Sequence, residues 1–242
     1  MSLTLAIDTA TDVASVAVGR DRALLAEITL AGRRHGAALL PTLTEAARLA
    51  GGSLADVGRV VLADGPGSFT GLRIGAATVQ GLVRAQPGLA VAAAPSLLAA
   101  AWAASRWHAG PVAALYDALR GDVFGAVYAF GDRGIETIVP PTLLTVARLR
   151  ALTPTRPMVA VGDGAVRYAD DVRDWTGRAP IGPPQGSPRA AALLAVDGLA
   201  GGTRPVPDIL AYEPDYGRPA EAQAKWERSH GRPLLDSGGH LR

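Results

Sequence analysis

Apolar residues fall along this chain in two rhythms, one of period two and one of helical spacing. Leu3-Thr4-Leu5-Ala6-Ile7 is a short apolar run that stops at Asp8, and turn residues Thr9-Ala10-Thr11-Asp12 follow it. Ala14-Ser15-Val16-Ala17-Val18 then alternates, and Leu24 to Leu30 continues in the same manner after the turn at 19–22. These three runs predict a three-stranded meander. From His35 to Ala50 the pattern changes: Leu39, Leu40, Leu43, Ala46, Ala47 and Ala50 recur at helical spacing until Gly51-Gly52 closes the segment. Val60-Val61-Leu62-Ala63 predicts a strand, residues 72–85 a helix broken by Pro87-Gly88, Leu89 to Ala93 a strand, and Pro95-Ser96 the start of a helix to about Ser105.

A second set of elements begins at Pro111. Val112 to Tyr116 is a strand that again ends on a carboxylate, Asp117, and Arg120-Gly121-Asp122 turns into a return strand from Val123 to Phe130. Ile135 to Val139 predicts a further strand and Thr145 to Leu152 a short helix. Met158 to Val161 runs into the turn Gly162-Asp163-Gly164, where Asp163 reads as a turn residue. Ser187-Pro188 has the cap and first-position residues of a helix through Leu199. The strand–Asp–turn–strand pattern therefore occurs twice. It implies two topologically similar lobes, residues 1–108 and a smaller 109–215, each a mixed sheet flanked by helices, within the α/β class. Residues 216–242 are polar and rich in Gly and Pro, and they are expected to form a flexible tail.

The richest stretch is Asp64-Gly65-Pro66-Gly67-Ser68-Phe69-Thr70-Gly71-Leu72-Arg73-Ile74-Gly75, a strand end, a glycine turn and a helix start. Ser68 or Thr70 is placed to cap a helix beginning near Gly71 or Leu72. Unpaired N–H groups at such a helix start form a plausible anion site. Alternatively, the glycines only let the helix dock closely on the sheet. The stretch is neither G-x-x-x-x-G-K-[ST] nor G-x-G-x-x-G, so neither common nucleotide fingerprint is present.

Composition narrows the chemistry. The 242 residues are 48% hydrophobic and only 5% aromatic, so the core is expected to be built of small aliphatic side chains. With no cysteine, disulfides, thiol nucleophiles and thiolate metal sites are excluded. The pI near 9.3 accompanies a net charge of only +2, and the arginines are scattered, which gives little support for nucleic-acid binding. No secretory leader pattern and no membrane-length apolar run are present, so a cytoplasmic protein with no membrane contact is expected.

Asp8, at the end of the first strand and followed by Thr9 and Thr11, is the strongest single candidate for chemistry. It either holds a hydrated cation beside a phosphate or accepts the N–H groups of its own turn. Asp117 has the same two readings. His35, His108, His230 and His240 include no i, i+4 pair, and Ser68 does not lie in a G-x-S-x-G elbow. A metalloprotease is disfavoured on that ground, and no acid–base pair emerges. The helices near His35 and Leu72 are apolar around much of their circumference, and either burial in their own lobe or a helix-on-helix interface with another chain accounts for that.

Leu5-Ala6-Ile7-Asp8-Thr9-Ala10-Thr11, His35 ahead of Leu39-Leu40-Pro41, and Gly65 to Gly75 together resemble the TsaB family. TsaB proteins belong to the bacterial machinery that places threonylcarbamoyl on the adenosine next to the tRNA anticodon. Asp117 to Tyr128, Gly162-Asp163-Gly164 and Tyr212 add weaker support, and the likeness covers about residues 1–215. It implies the two-lobed actin/sugar-kinase/Hsp70-like (ASKHA) fold and a non-catalytic role without a cofactor or metal. It further implies pairing with the catalytic paralogue TsaD, recruitment of the ATPase TsaE and a homodimer when TsaD is absent, and it leaves tRNA contact indirect or unknown. On this resemblance His35, Leu39, Leu40, Leu43, Ala47, Leu72, Ala76, Val79, Leu82 and Val83 are expected to face the partner. Asp8, Thr9, Thr11, Gly67, Ser68 and Thr70 would mark a vestigial phosphate or nucleotide site. The alternative is a stand-alone ASKHA-type ATPase or phosphotransferase organised by Asp8.

Overall fold

Each lobe starts with a meander because its opening runs alternate or are wholly apolar, and each then alternates strand and helix. The computed structural model describes residues 2–21, 23–32, 35–131, 134–183 and 190–217. In the first lobe β1 (Leu3–Asp8), β2 (Val13–Arg20) and β3 (Ala23–Ala31) pair antiparallel, and α1 (His35–Leu49) follows. β4 (Val57–Ala63) lies parallel to β1, α2 (Phe69–Ala85) crosses over, and β5 (Ala90–Ala94) lies parallel to β4 before α3 (Ser96–Ser105). The second lobe repeats the plan. β6 (Val112–Asp117), β7 (Val123–Gly131) and β8 (Gly134–Leu144) form a meander, α4 (Val146–Leu152) follows, and β9 (Val159–Val161) pairs parallel with β6. The short helices α5 (Asp163–Arg167), α6 (Ala169–Thr176) and α7 (Ala190–Val196) come next, and β10 (Arg204–Pro205) is the last strand.

The first sheet has the order β10-β5-β4-β1-β2-β3 and the second β8-β7-β6-β9. Three apolar layers hold the two sheets. Leu3, Leu5, Ile7, Val60 and Leu62 pack against Leu39, Leu43 and Val79 on the α1/α2 side. Ala6, Ala17, Val61 and Ala63 point the other way, into a layer shared with α3, α7 and the second sheet's Val112, Ala114, Tyr116 and Tyr128. Ala113, Leu115, Val123 and Val127 face α4, α5 and α6. The abundance of alanine in the middle layer lets two sheets and two helices approach closely, and this is the expected α/β, two-lobed arrangement with mixed sheets flanked by helices. Each Leu, Ile or Val so buried contributes about 1.5–3 kcal/mol.

The boundary expected at 108/109 does not separate the two sheets cleanly. α7 packs on β1, β2 and β4, and β10 pairs with β5, so the chain after residue 190 returns to the first sheet. α2 starts at Phe69, earlier than expected, because Ser68 Oγ accepts the Gly71 amide at 3.3 Å and caps it there. β8 runs past Val139 through Pro140 and Pro141, which an edge strand tolerates because its outer N–H positions need no partner. The cap expected at Ser187-Pro188 lies outside the described residues, as do residues 218–242 of the expected tail. Tyr216 and Gly217, which fall in the expected tail, are among the described residues.

Candidate functional site

The C-terminal ends of β1 and β4 meet beneath the glycine stretch, and backbone groups dominate the contact. Ser68 N donates to Ala10 O at 2.7 Å, and Thr9 Oγ1 donates to Gly71 O at 2.8 Å. The Cα of Gly67 lies against the Ala10 carbonyl and that of Gly71 against the Thr9 carbonyl, where a Cβ would collide with backbone. Gly65 has φ +113°, and its Cβ position is taken by the Asp215 carbonyl. Close docking is therefore what these glycines provide. Of the residues expected at a vestigial phosphate site, Thr9 is buried with its hydroxyl committed to Gly71 O, and Ser68 is exposed with its hydroxyl committed to the α2 cap. Thr11 closes a local turn with Val13, through Oγ1 to Val13 O at 3.0 Å and Val13 N to Oγ1 at 3.2 Å. Thr70 is exposed in the first turn of α2. At the start of α2 the Gly71 amide is capped by Ser68 Oγ and the Leu72 amide bonds Ser68 O.

Asp8 is wholly buried. Its Oδ1 accepts the Ala10 amide at 2.8 Å, the turn role, while Oδ2 has no hydrogen-bond partner. Burial pushes the Asp8 carboxyl up to about 7, with the Ala10 N–H opposing the shift. The phenol of Tyr116 is raised by its own burial and by the nearby Asp8 carboxylate, and its hydroxyl donates to Ser96 O at 3.2 Å. Ser96 Oγ in turn accepts the Gly65 amide at 3.1 Å, so this polar line ties β6 of the second lobe to the glycine stretch.

Asp64, at the exit of β4, is a residue that sequence reasoning did not single out. Its carboxylate pairs with Arg204, and its carbonyl accepts the Asp215 amide at 2.8 Å. Burial raises the Asp64 carboxyl while the Arg204 guanidinium pulls it back. Tyr212 lies beside the pair, with Arg204 Cζ 5.6 Å from its ring centroid. In the sequence Asp64 showed only as the first residue of the glycine stretch and Tyr212 only through the family likeness, since Arg204 lies 140 residues from its carboxylate.

The second lobe reproduces the arrangement with different chemistry. Gly162 (φ +107°) follows β9 as Gly65 follows β4, and Asp163 opens α5. Asp163 Oδ1 accepts the amides of Asp117 at 3.2 Å and Gly164 at 2.9 Å, and Asp117 Oδ2 pairs with Arg167 at 3.1 Å. Asp117 also accepts the Leu119 amide at 3.0 Å, so both carboxylates organise their own turns.

The residues expected to face a partner divide in two. Leu39, Leu43, Ala47, Leu72, Ala76 and Val79 are buried in this chain's own core, against the first sheet. Their spacing is that of a core-facing stripe, which corrects the expectation that they form a surface. Leu82 and Val83 are half-buried, Leu40 is 53% exposed, and the His35 side chain lies outside the described residues. The outward surface of α1 and α2 is instead made of Ala37, Leu40, Thr44 and Leu49 together with Phe69, Arg73 and Ala77. At the α2 end of that surface the Phe69 and Tyr216 rings lie 4.5 Å apart, and Arg73 Cζ sits 4.3 Å from the Phe69 centroid.

Among the described residues no group of three His, Asp or Glu side chains is placed to hold a metal, and no helix is long and apolar enough to cross a membrane. The fold and its glycine junction define a class. The sequence profile of the family described as "TsaD: tRNA N6-adenosine threonylcarbamoyltransferase" matches residues 28–167. Within that class the chain is 37% identical over 174 residues to the tRNA threonylcarbamoyladenosine biosynthesis protein TsaB of Escherichia coli K12, covering 69% of this chain and 73% of that protein. It is 29% identical over 230 residues to TsaB of Bacillus subtilis 168, covering 93% and 98% respectively. The solved structure of YeaZ from Pseudomonas aeruginosa superposes with a TM-score of 0.70 at 29% identity, over 82% of this chain and 91% of that one. A second solved structure, described as having similarity to peptidase YeaZ from Pseudomonas aeruginosa, gives 0.74 at 28% identity over 90% of this chain and 100% of its own. The chain belongs to the TsaB family.

Proposed function

We propose that this protein is a non-catalytic scaffold and activating subunit in the threonylcarbamoylation of the adenosine next to the tRNA anticodon. It acts by pairing with a TsaD-type catalytic paralogue through the outward surface of α1 and α2. The TsaB relatives are named for threonylcarbamoyladenosine biosynthesis, and their extensive alignment supports the same process here. The observation that carries the non-catalytic reading is the docking of Thr9 on Gly71 and of Ser68 on Ala10, with Ser68 also capping α2. The Thr9 hydroxyl, the Ser68 hydroxyl and the Gly71 amide are thereby engaged within the chain rather than turned toward a phosphate. A TsaE-type ATPase joins the pair, and two copies of the chain occupy the same surface when the paralogue is absent.

Because Leu43 is core, Leu40 is the residue that tests this reading. Leu40→Glu places a carboxylate in the centre of the proposed contact, where leaving it unpaired costs several kcal/mol. Co-elution with the TsaD paralogue is expected to disappear while the unfolding midpoint of the lone chain stays that of the wild type. Retained co-elution would refute the assignment of this surface. The unpartnered Asp8 Oδ2 favours one other reading, an ATPase organised by that carboxylate. ATP turnover by the lone chain, present in the wild type and lost in Asp8→Ala, would establish it in place of the scaffold.

A further inference from the structure

We infer that residues 204–217 form a strap that sets the pose of the α2 N-terminus from the seam between the lobes, so that the outward position of Phe69 and Arg73 depends on the strap being seated. Its importance for pairing rests on the reading above, while the coupling itself is a property of the lone chain.

The strap is fastened at successive points along one path. Arg204 and Pro205 pair with β5, and Val206 N donates to Val91 O at 2.9 Å. Val206 and Ile209 bury their side chains in the α1/α2 layer, and Gln80 of α2 donates to Ile209 O at 3.0 Å. Arg204 reaches the Asp64 carboxylate, and Asp215 N returns to the Asp64 carbonyl at 2.8 Å. The Asp215 carbonyl then fills the space that a side chain on Gly65 would need. Next, Tyr216 stacks on Phe69 and accepts a hydrogen bond from Arg73 Nε at 3.1 Å, while Gly217 is wedged between Pro66 of the first lobe and Phe124 of the second.

The consequence is mechanical. The glycine stretch joins β4 to α2 through residues without side chains, so its own covalent structure restrains it little. What restrains it is external: Ser96 and Ala10 from below, Asp215 and Gly217 from above. Gly217 also touches β7 through Phe124, so movement between the lobes is transmitted through the strap to the base of α2. A Cβ at Gly217 would lie 2.7 Å from both Phe124 Cε1 and Pro66 Cβ, on a backbone with φ +68°. Any larger side chain must therefore lift the strap.

Amide hydrogen exchange on the full chain without any partner tests the coupling. Gly217→Val unseats the strap at the seam, and Tyr216→Ala removes the ring on Phe69 and the acceptor for Arg73. Gly81→Ala, on α2 with open space around it, is the control. In both strap variants the amides of Gly65, Ser68 and Leu72 are expected to exchange at least about tenfold faster, with first-sheet amides such as Val61 and Ala17 unchanged. The control speeds none of these amides, since alanine in place of a mid-helix glycine slows exchange in α2 if it changes it at all. If Asp215 exchanges faster while Gly65, Ser68 and Leu72 do not, the strap merely lies on the surface and the inference is overturned. Should Gly217→Val speed all amides alike, Tyr216→Ala decides by the same criterion. Retained pairing in Leu40→Glu would sink the pairing surface alone and leave this exchange result standing.

Discussion

The carboxyl of Asp8 should make this protein less stable as the pH rises toward neutrality, and Asp8→Asn should remove that dependence. Burial lifts the group from 3.8 to about 7 in the folded chain, so the folded state holds a proton that the unfolded chain has already released. Stability from this group is fully present below about pH 4 and declines as the pH rises from about 4 to about 7. Above that it levels off, because both states are then ionised. A difference of about three units at about 1.36 kcal/mol each amounts to about 4 kcal/mol withheld from the folded state at pH 8. Asparagine keeps the acceptor for the Ala10 amide and carries no charge, but it sets an amide donor where Oδ2 had no partner. That donor removes about 1–3 kcal/mol of the gain. Urea unfolding of both proteins at pH 4.5 and pH 8, or about those values, reads the effect as a change in their stability difference. Asn is expected to gain on Asp by about 3 kcal/mol between the two conditions, since about 1 kcal/mol is already lost at the lower pH and the cost of the amide donor is the same at both. Neighbouring Asp64 and Asp163, also raised by burial, are common to both chains and cancel in the comparison. A difference that stays flat across the range would refute the reasoning, because the buried carboxylate must then be compensated by something that accepts its charge.

Further outcomes follow from the packing. Gly71→Ala drives a Cβ into the Thr9 carbonyl, and the resulting backbone shift should cost about 3 kcal/mol in urea unfolding. Leu43→Ala should cost about 2–5 kcal/mol and Leu40→Ala less than about 0.5 kcal/mol, a contrast that thermal unfolding separates directly. Arg204→Met leaves the buried Asp64 carboxylate without its guanidinium, which should raise the Asp64 carboxyl further and lower stability more at pH 8 than at pH 5, or about those values, by denaturant titration.

How far the sequence disclosed this molecule depended on how each feature is held together. The meanders, α1, α2 and the duplicated plan were legible because each rests on a periodic apolar stripe. α6 was not, since Ala169–Thr176 is mostly charged and buries only Val172, Trp175 and Thr176. Periodicity also identified Leu39, Leu43 and Ala47 as one stripe without saying what covers it. A sheet within the chain and a helix of another chain impose the same spacing, and here the sheet does so. Asp8 could be located from its place at a strand end, and its turn bond to Ala10 was one of the two roles open to it. Its orphaned Oδ2 depends on what other segments bring near it, and no local pattern records that. The strap was the least visible part. Its attachments run through backbone groups, a distant ion pair and one ring stack, none of which leaves a periodic trace, so Tyr216 read as the start of a tail.

The return of α7 and β10 to the first sheet has a consequence for synthesis. A ribosome releases the chain from its N-terminus, and the meander, α1 and α2 emerge early, yet the edge beside β5 and the underside of β1 and β2 wait for residues 190–205. Until those emerge the nascent sheet exposes an open strand and an alanine-lined face, both prone to sticking to other chains. Completion is therefore postponed until residues 190–205 have been made, and products truncated before them should precipitate or recruit chaperones.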